Sequence, residues 1–200
     1  MRLKNIKGAP KYVENNEYTK FNINEIDVPI HLEIGCGKCD FLIEMAKQNP
    51  DKFFIGIEKY ASVLYKGLKK IENENISNLK FLCIDATDIN EYFKNKIEIL
   101  YLNFSDPWHK NKHHRRRLTS HDFLKLYDNF FKKDCIIYQK TDNKNLFEYS
   151  IESLSTYGYT LKNISVNLHE DIDFNNIVTE YETKFSKLGP IYRLEAYKSI

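Results

Sequence analysis

Excess charge of one sign is missing from this 200-residue chain: 30 Lys and Arg stand against 28 Asp and Glu, a formal net charge of +2. Net charge alone therefore does not argue for a polyanionic partner. Cysteine is scarce, with Cys36, Cys39, Cys83 and Cys135 in or beside apolar, strand-like runs. They lack the spacing of a secreted disulfide framework, so the expected setting is a reducing cytoplasm. No run is long or apolar enough to span a bilayer, and the first residues lack the apolar block of a signal peptide. The expectation is a soluble, intracellular chain with no membrane partner. Internal repeats, low-complexity tracts and a second domain are also missing, and the length suits one domain with a substantial core.

What the chain does have is a local concentration of charge and chemistry. The apolar run Ile97-Glu98-Ile99-Leu100-Tyr101-Leu102 reads as a buried strand and stops in Asn103-Phe104-Ser105-Asp106-Pro107-Trp108-His109-Lys110. Asn111, Lys112, His113, His114, Arg115, Arg116 and Arg117 follow at once, and Arg2, Lys4, Lys7 and Lys11 add positive charge near the start. A carboxylate, a stiffening proline, the single tryptophan and a basic run at a strand's end read as presented chemistry.

Residues 1–28 show little periodicity and are expected to form a mobile arm; residues 29–200 are expected to form one domain. Strands are predicted at 30–34, 53–58, 79–85, 97–102 and 135–140. Helices are predicted after Cys39, over 62–74, over 88–93, after Thr119 or Ser120, and from an Asp142 cap to about 156, ended by Gly158. This alternation predicts a doubly wound α/β domain with a mostly parallel sheet, and further strands at 159–167 and 190–197 predict an antiparallel C-terminal edge.

Right-handed crossovers bring every strand's C-terminal end to one rim, where Glu33, the Gly35 to Cys39 loop, Glu58, Asp85, Asp106 and Asp142 would gather. A glycine turn at Gly35 and Gly37 followed by Glu58 at the next strand's end suits a nucleoside, with the ribose diol on the acid and an adenine amino group on Asp85. The turn lacks the full dinucleotide fingerprint and has no pyrophosphate to cradle. S-adenosylmethionine, a nucleoside with a sulfonium and an amino-acid tail, suits it better than NAD. Each group has a plainer alternative: strand-end acids for Glu58 and Asp85, helix capping for Asp142, a buried anchor for Trp108 and a solvated face for the basic run. Cys36 and Cys39, with His109, His113 and His114, have donors for zinc or a redox pair, but a glycine loop and phosphate contact account for them, and no metal is expected.

Six blocks, Leu32-Glu33-Ile34-Gly35-Cys36-Gly37-Lys38, Ile55-Gly56-Ile57-Glu58, Asn103-Phe104-Ser105-Asp106-Pro107-Trp108, Lys140-Thr141-Asp142-Asn143, Thr179-Glu180-Tyr181-Glu182 and Ile191-Tyr192-Arg193-Leu194-Glu195, resemble the bacterial tRNA (guanine-N7-)-methyltransferase family in its order. The resemblance implies a Rossmann-like class I methyltransferase fold using S-adenosylmethionine. It implies that Glu33, Gly35, Gly37, Glu58, Asp85 and Asp106 face the cofactor, that Asp106 is catalytic, and that Lys110, Asp142, Thr179, Glu180, Tyr181 and Glu182 meet the substrate. It further implies that Lys112, His113, His114, Arg115, Arg116 and Arg117 touch RNA, and that the acceptor is N7 of a guanosine in the tRNA variable loop. Cys39 departs from the glycine that the family keeps, and His109 and Asn111 from its proline and lysine. Methylation of another RNA position and a non-catalytic RNA-binding module on the same fold are the alternatives; monomer and homodimer are both open.

Overall fold

The computed structural model describes residues 5–171 and 176–199, so Arg2 and Lys4 of the basic N-terminal group lie outside the described residues. The elements run α1 (Ala9–Asn15), β1 (Ile30–Ile34), α2 (Asp40–Gln48), β2 (Phe53–Ile57), α3 (Ala61–Lys70), β3 (Leu79–Leu82), β4 (Ile97–Asn103), α4 (His121–Tyr127), β5 (Cys135–Thr141), α5 (Lys144–Thr156), β6 (Thr160–Ser165), α6 (Glu180–Phe185) and β7 (Tyr192–Lys198). They build a seven-stranded sheet in the order β3-β2-β1-β4-β5-β7-β6. The first five strands are parallel, and β7 runs antiparallel to both β5 and β6. The expected doubly wound architecture with an antiparallel end is therefore the observed one. β7 is not itself the edge: it sits between β5 and β6, which explains why Leu194 and Ala196 are fully buried.

Strand pleating divides the core between the two faces. Leu100, Leu102, Ile137, Leu194 and Ala196 pack on one side with Phe123, Leu124 and Tyr127 of α4 and Phe147 and Leu154 of α5. Phe54, Phe81 and Tyr101 pack on the other with Leu42 of α2 and Leu64 and Leu68 of α3. The second face also carries β-strand residues with polar atoms, among them His31, Glu33, Asn103, Lys140, Arg193 and Glu195, all under a tenth exposed. Buried polar groups need partners, and these side chains supply much of the site described below.

Several boundaries differ from expectation for local reasons. The N-terminal segment contains α1, whose Ala9 and Val13 are buried, while Tyr12 meets Tyr65 of α3 edge to face at 4.9 Å. With seven residues and two buried apolar positions, this helix is too short to announce itself by periodicity. α3 ends at Lys70, and residues 86–91 form a 3-10 turn, not an α-helix. The cap of α5 is Asn143, whose Oδ1 accepts from the Leu146 amide at 2.9 Å. Asp142, one residue earlier, is thereby released from the capping role. α6 falls where no helix was expected; Thr179 caps it by accepting from the Glu182 amide at 3.1 Å.

Candidate active site

Among the described residues, five other than glycine have positive φ, and three of them, Cys39, Phe104 and Trp108, lie in loops that follow the C-terminal ends of β1 and β4. Left-handed backbone costs a residue with a side chain about 1–2 kcal/mol, and such strain collects where a site dictates the backbone. Cys39, at φ 68°, stands at the position where the resemblance expected glycine, and the conformation explains that preference. Its side chain is wholly buried against α3. There a Cβ at Gly67 would collide with the Cys39 sulfur and come within 2.9 Å of the Lys38 carbonyl, so the bare backbone at 67 accommodates the thiol.

The glycine loop turns at Gly35 (φ 79°) and Gly37 (φ 58°). Glu58, at the end of β2, ties that loop down: one carboxylate oxygen accepts from the Gly37 amide at 3.2 Å and the other from the Tyr60 amide at 2.9 Å. Each oxygen keeps a further lone pair for a hydroxyl donor. Burial raises the Glu58 pKa, and the two backbone amides oppose the rise. Glu33 is more enclosed. Its Oε1 accepts from Asn103 Nδ2 at 2.8 Å, its Oε2 is buried with no hydrogen-bond partner among the described residues, and burial pushes its pKa up to about 7. A buried, half-satisfied carboxylate beside a glycine turn is what a cationic ligand group would complete. Asp85 is already engaged: Lys59 pairs with one oxygen, and the Thr87 amide and hydroxyl donate to the other at 3.0 Å. The Lys59 bond, above the others, holds its pKa below the usual carboxylate range.

The Asp106 loop is built from both sides. The Phe104 amide donates to the Lys140 carbonyl at 2.8 Å, pinning the end of β4 to β5 before the chain leaves the sheet. Asp106 is exposed, and its charge reaches both Glu58 and Tyr181, raising the pKa of each. Arg117 Nε donates to the Pro107 carbonyl at 2.8 Å, and its guanidinium lies 4.5 Å from the centre of the Tyr149 ring. At 3% exposed, Arg117 holds the loop from beneath, apart from the outer basic face on which the sequence placed it. Lys110, Lys112, Arg115 and Arg116 are exposed, with Arg116 5.0 Å over Trp108 and Arg115 paired to Asp122 at 2.8 Å. Trp108 is half-buried; His113 meets its edge, and His114 meets Tyr149.

The C-terminal segment closes the rim. Lys38 pairs with Glu180 at 2.7 Å, and the Tyr181 hydroxyl sits 3.5 Å from Asp142 Oδ2. Tyr181 stacks on Phe185 at 4.1 Å and tilts against Phe104 at 4.9 Å; burial, with Asp142, pushes its pKa up to about 12. Glu182 is fully buried and bonded inward, so it faces the protein interior. The structure thus brings together Glu33, Glu58, the glycine loop, Asp106, Asp142 and Tyr181, and leaves Lys110 and Lys112 on the outer face.

Residues 27–194 match a family described as "Putative methyltransferase". The chain is 43% identical over 211 residues to a tRNA (guanine-N(7)-)-methyltransferase of Lachnoclostridium phytofermentans, covering 99% of each. The chain belongs to the bacterial tRNA (guanine-N7-)-methyltransferase family. A Staphylococcus aureus (strain MSSA476) protein of the same description is 48% identical over 170 residues, 84% of this chain and 79% of that one. An antibiotic-related methyltransferase of known structure superposes with a TM-score of 0.65 at 17% identity, covering 100% of this chain and 97% of the other, a likeness of fold. Within this family member, Asn103, Lys38 and Lys140 are among the residues that the sequence blocks left without a role and that the structure places at the site. Asn103 and Lys140 end strands, and a polar group there after an apolar run was the available signal. Among the described residues, no group of three or more His, Cys, Asp or Glu could hold a metal ion, and no helix is long and apolar enough to cross a membrane.

Proposed function

We propose that this protein transfers the methyl group of S-adenosylmethionine to N7 of a guanosine in the variable loop of tRNA, acting in the cytoplasm where tRNA is found. The observation that carries the reading is the buried Glu33 carboxylate, whose Oε2 has no hydrogen-bond partner among the described residues, joined by the glycine loop to Glu58 on the rim that also presents Asp106. In this arrangement Glu33 receives the cofactor's ammonium, Glu58 its ribose hydroxyls and Asp85 an edge of its adenine. When bound, the cofactor supplies an electrophilic methyl group.

Guanine N7 carries a lone pair and no proton at neutral pH, so the protein has no proton to remove before attack. Its task is alignment and charge. Asp106 accepts from guanine N1–H and the amino group, which aims N7 and answers the positive charge that develops on the ring. Asp142 and Tyr181 border the base on the other side. The exposed Lys110, Lys112, Arg115 and Arg116 meet phosphates.

Transfer of radiolabelled methyl to unmodified bulk tRNA, followed by nucleoside digestion, tests the reading. Label in 7-methylguanosine supports it; label in another nucleoside overturns the position, and no label overturns the activity. The joint substitution Arg115→Ala, Arg116→Ala is expected to weaken tRNA binding and flatten the slope of log Kobs against log salt by about one to two. An unchanged slope removes this face from the RNA contact.

A further inference from the structure

Lys140 lies at the end of β5, 6% exposed, and its ammonium donates to Glu182 Oε2 at 2.8 Å, Asn176 Oδ1 at 3.0 Å and the Ile177 carbonyl at 3.1 Å. Every proton of the ammonium is thereby used. Glu182 accepts from His169 Nε2 at 3.1 Å and from Asn176 as well, and its own amide donates to Thr179. One buried pair therefore holds residues 176–182 against the sheet. The backbone of Lys140 works on the opposite side, since its carbonyl receives the Phe104 amide two residues before Asp106.

We propose that Lys140 is a positioning residue for methyl transfer: through Glu182 its side chain sets the Thr179–Tyr181 edge on one side of the acceptor base, facing the Asp106 loop that the carbonyl of residue 140 pins whatever its side chain. This deepens the methyl-transfer reading and rests on it. A six-residue helix has little stability of its own, so its placement depends on tertiary anchors. A buried ion pair with all its hydrogen bonds made gives one geometry, and removing a single partner leaves an uncompensated charge that drives the segment outward. The ammonium also bears on the cofactor site, because its charge favours ionised Glu33. For a cofactor ammonium on Glu33 this effect is offset by like-charge repulsion from the same lysine, so cofactor affinity depends on Lys140 far less than acceptor alignment does.

The test compares Lys140→Met and Lys140→Arg with wild type at pH 8. Three readouts are needed: S-adenosylmethionine Kd, steady-state kinetics on tRNA, and hydrogen exchange of amides 177–183. In Lys140→Met, kcat/KM for tRNA is expected to fall about 30-fold or more while cofactor Kd stays within about threefold. Exchange should rise in 177–183 and not in β1 to β3, and Lys140→Arg, which keeps the charge, should recover most of the activity. His169→Ala, which removes one bond to Glu182, and Asn176→Ala, which removes one to Glu182 and one to Lys140, should show the same split more weakly if the methionine variant does not fold. Parallel loss of cofactor binding and turnover, or unchanged kcat/KM with unchanged exchange, would overturn the positioning role. Wild-type protein that leaves tRNA unlabelled would instead overturn the methyl-transfer reading, whatever the exchange of the variants.

Discussion

Replacing Asp106 by alanine is expected to lower kcat for tRNA methylation by about two to three orders of magnitude, the scale of losing one charge-stabilising contact in the transition state. The side chain is exposed and the loop that carries it is held by other contacts, the Phe104 amide to the Lys140 carbonyl on one side and the Arg117 side chain to the Pro107 carbonyl on the other. The variant should therefore fold and keep its tRNA affinity. Asp106→Asn separates two contributions: it retains one acceptor oxygen and loses the negative charge, so it should fall between wild type and alanine. Cofactor affinity decides the assignment. If Asp106 acts on guanine, cofactor Kd stays within about threefold in both variants. If cofactor affinity falls in step with kcat, Asp106 belongs to the cofactor pocket and the catalytic role is refuted.

Glu33→Gln is expected to stabilise the free protein above pH 7 while impairing cofactor binding. The folded chain holds the Glu33 proton up to about 7 because the carboxyl is buried, whereas the ordinary value is 4.5. Between those two values the folded state binds more protons than the unfolded state, so unfolding free energy falls as pH rises through the window. Integrated over it, ionised Glu33 costs the free protein about 3 kcal/mol, present in full above pH 7 and absent below about pH 4.5. Glutamine keeps an acceptor for Asn103 and carries no charge, so Tm should rise at pH 8 and match wild type near pH 4.5. Cofactor affinity should drop about 10- to 100-fold, the worth of a hydrogen bond to a charged group. Below pH 7, wild-type binding should release close to one proton, seen by calorimetry in buffers of different ionisation heat. An unchanged Tm at pH 8 would show that Glu33 is not the buried, charge-bearing acceptor.

Both predictions concern residues that were legible in the sequence, as acids at the ends of apolar strands. The supports beneath them were less legible. Arg117 looked like one more cation in a basic run, yet the chain folds it under the Asp106 loop against Tyr149. Linear sequence cannot separate it from Arg115 and Arg116, because all three carry the same charge and only the path of the turn at Asn111–Arg116 decides which points inward. Asp142 and Asn143 are both competent caps, and the helix begins one residue later than the acid predicts. Glu182 stood in a block expected to meet substrate, while its carboxylate is turned inward to Lys140, 42 residues away in sequence.

The sequence by itself determined the alternation of strand and helix, the gathering of acids on one rim and the family, because periodicity, turn residues and ordered motifs are local properties. It also carried the warning at Cys39, where a side chain occupies a left-handed position. Only the tertiary structure decided the insertion of β7 between β5 and β6, the docking of α1 on α3 and the burial of Lys140 with Glu182. Those outcomes rest on pairings between residues far apart in the chain. The energy of each depends on what the partner buries, desolvates or neutralises, and neither residue carries that information alone.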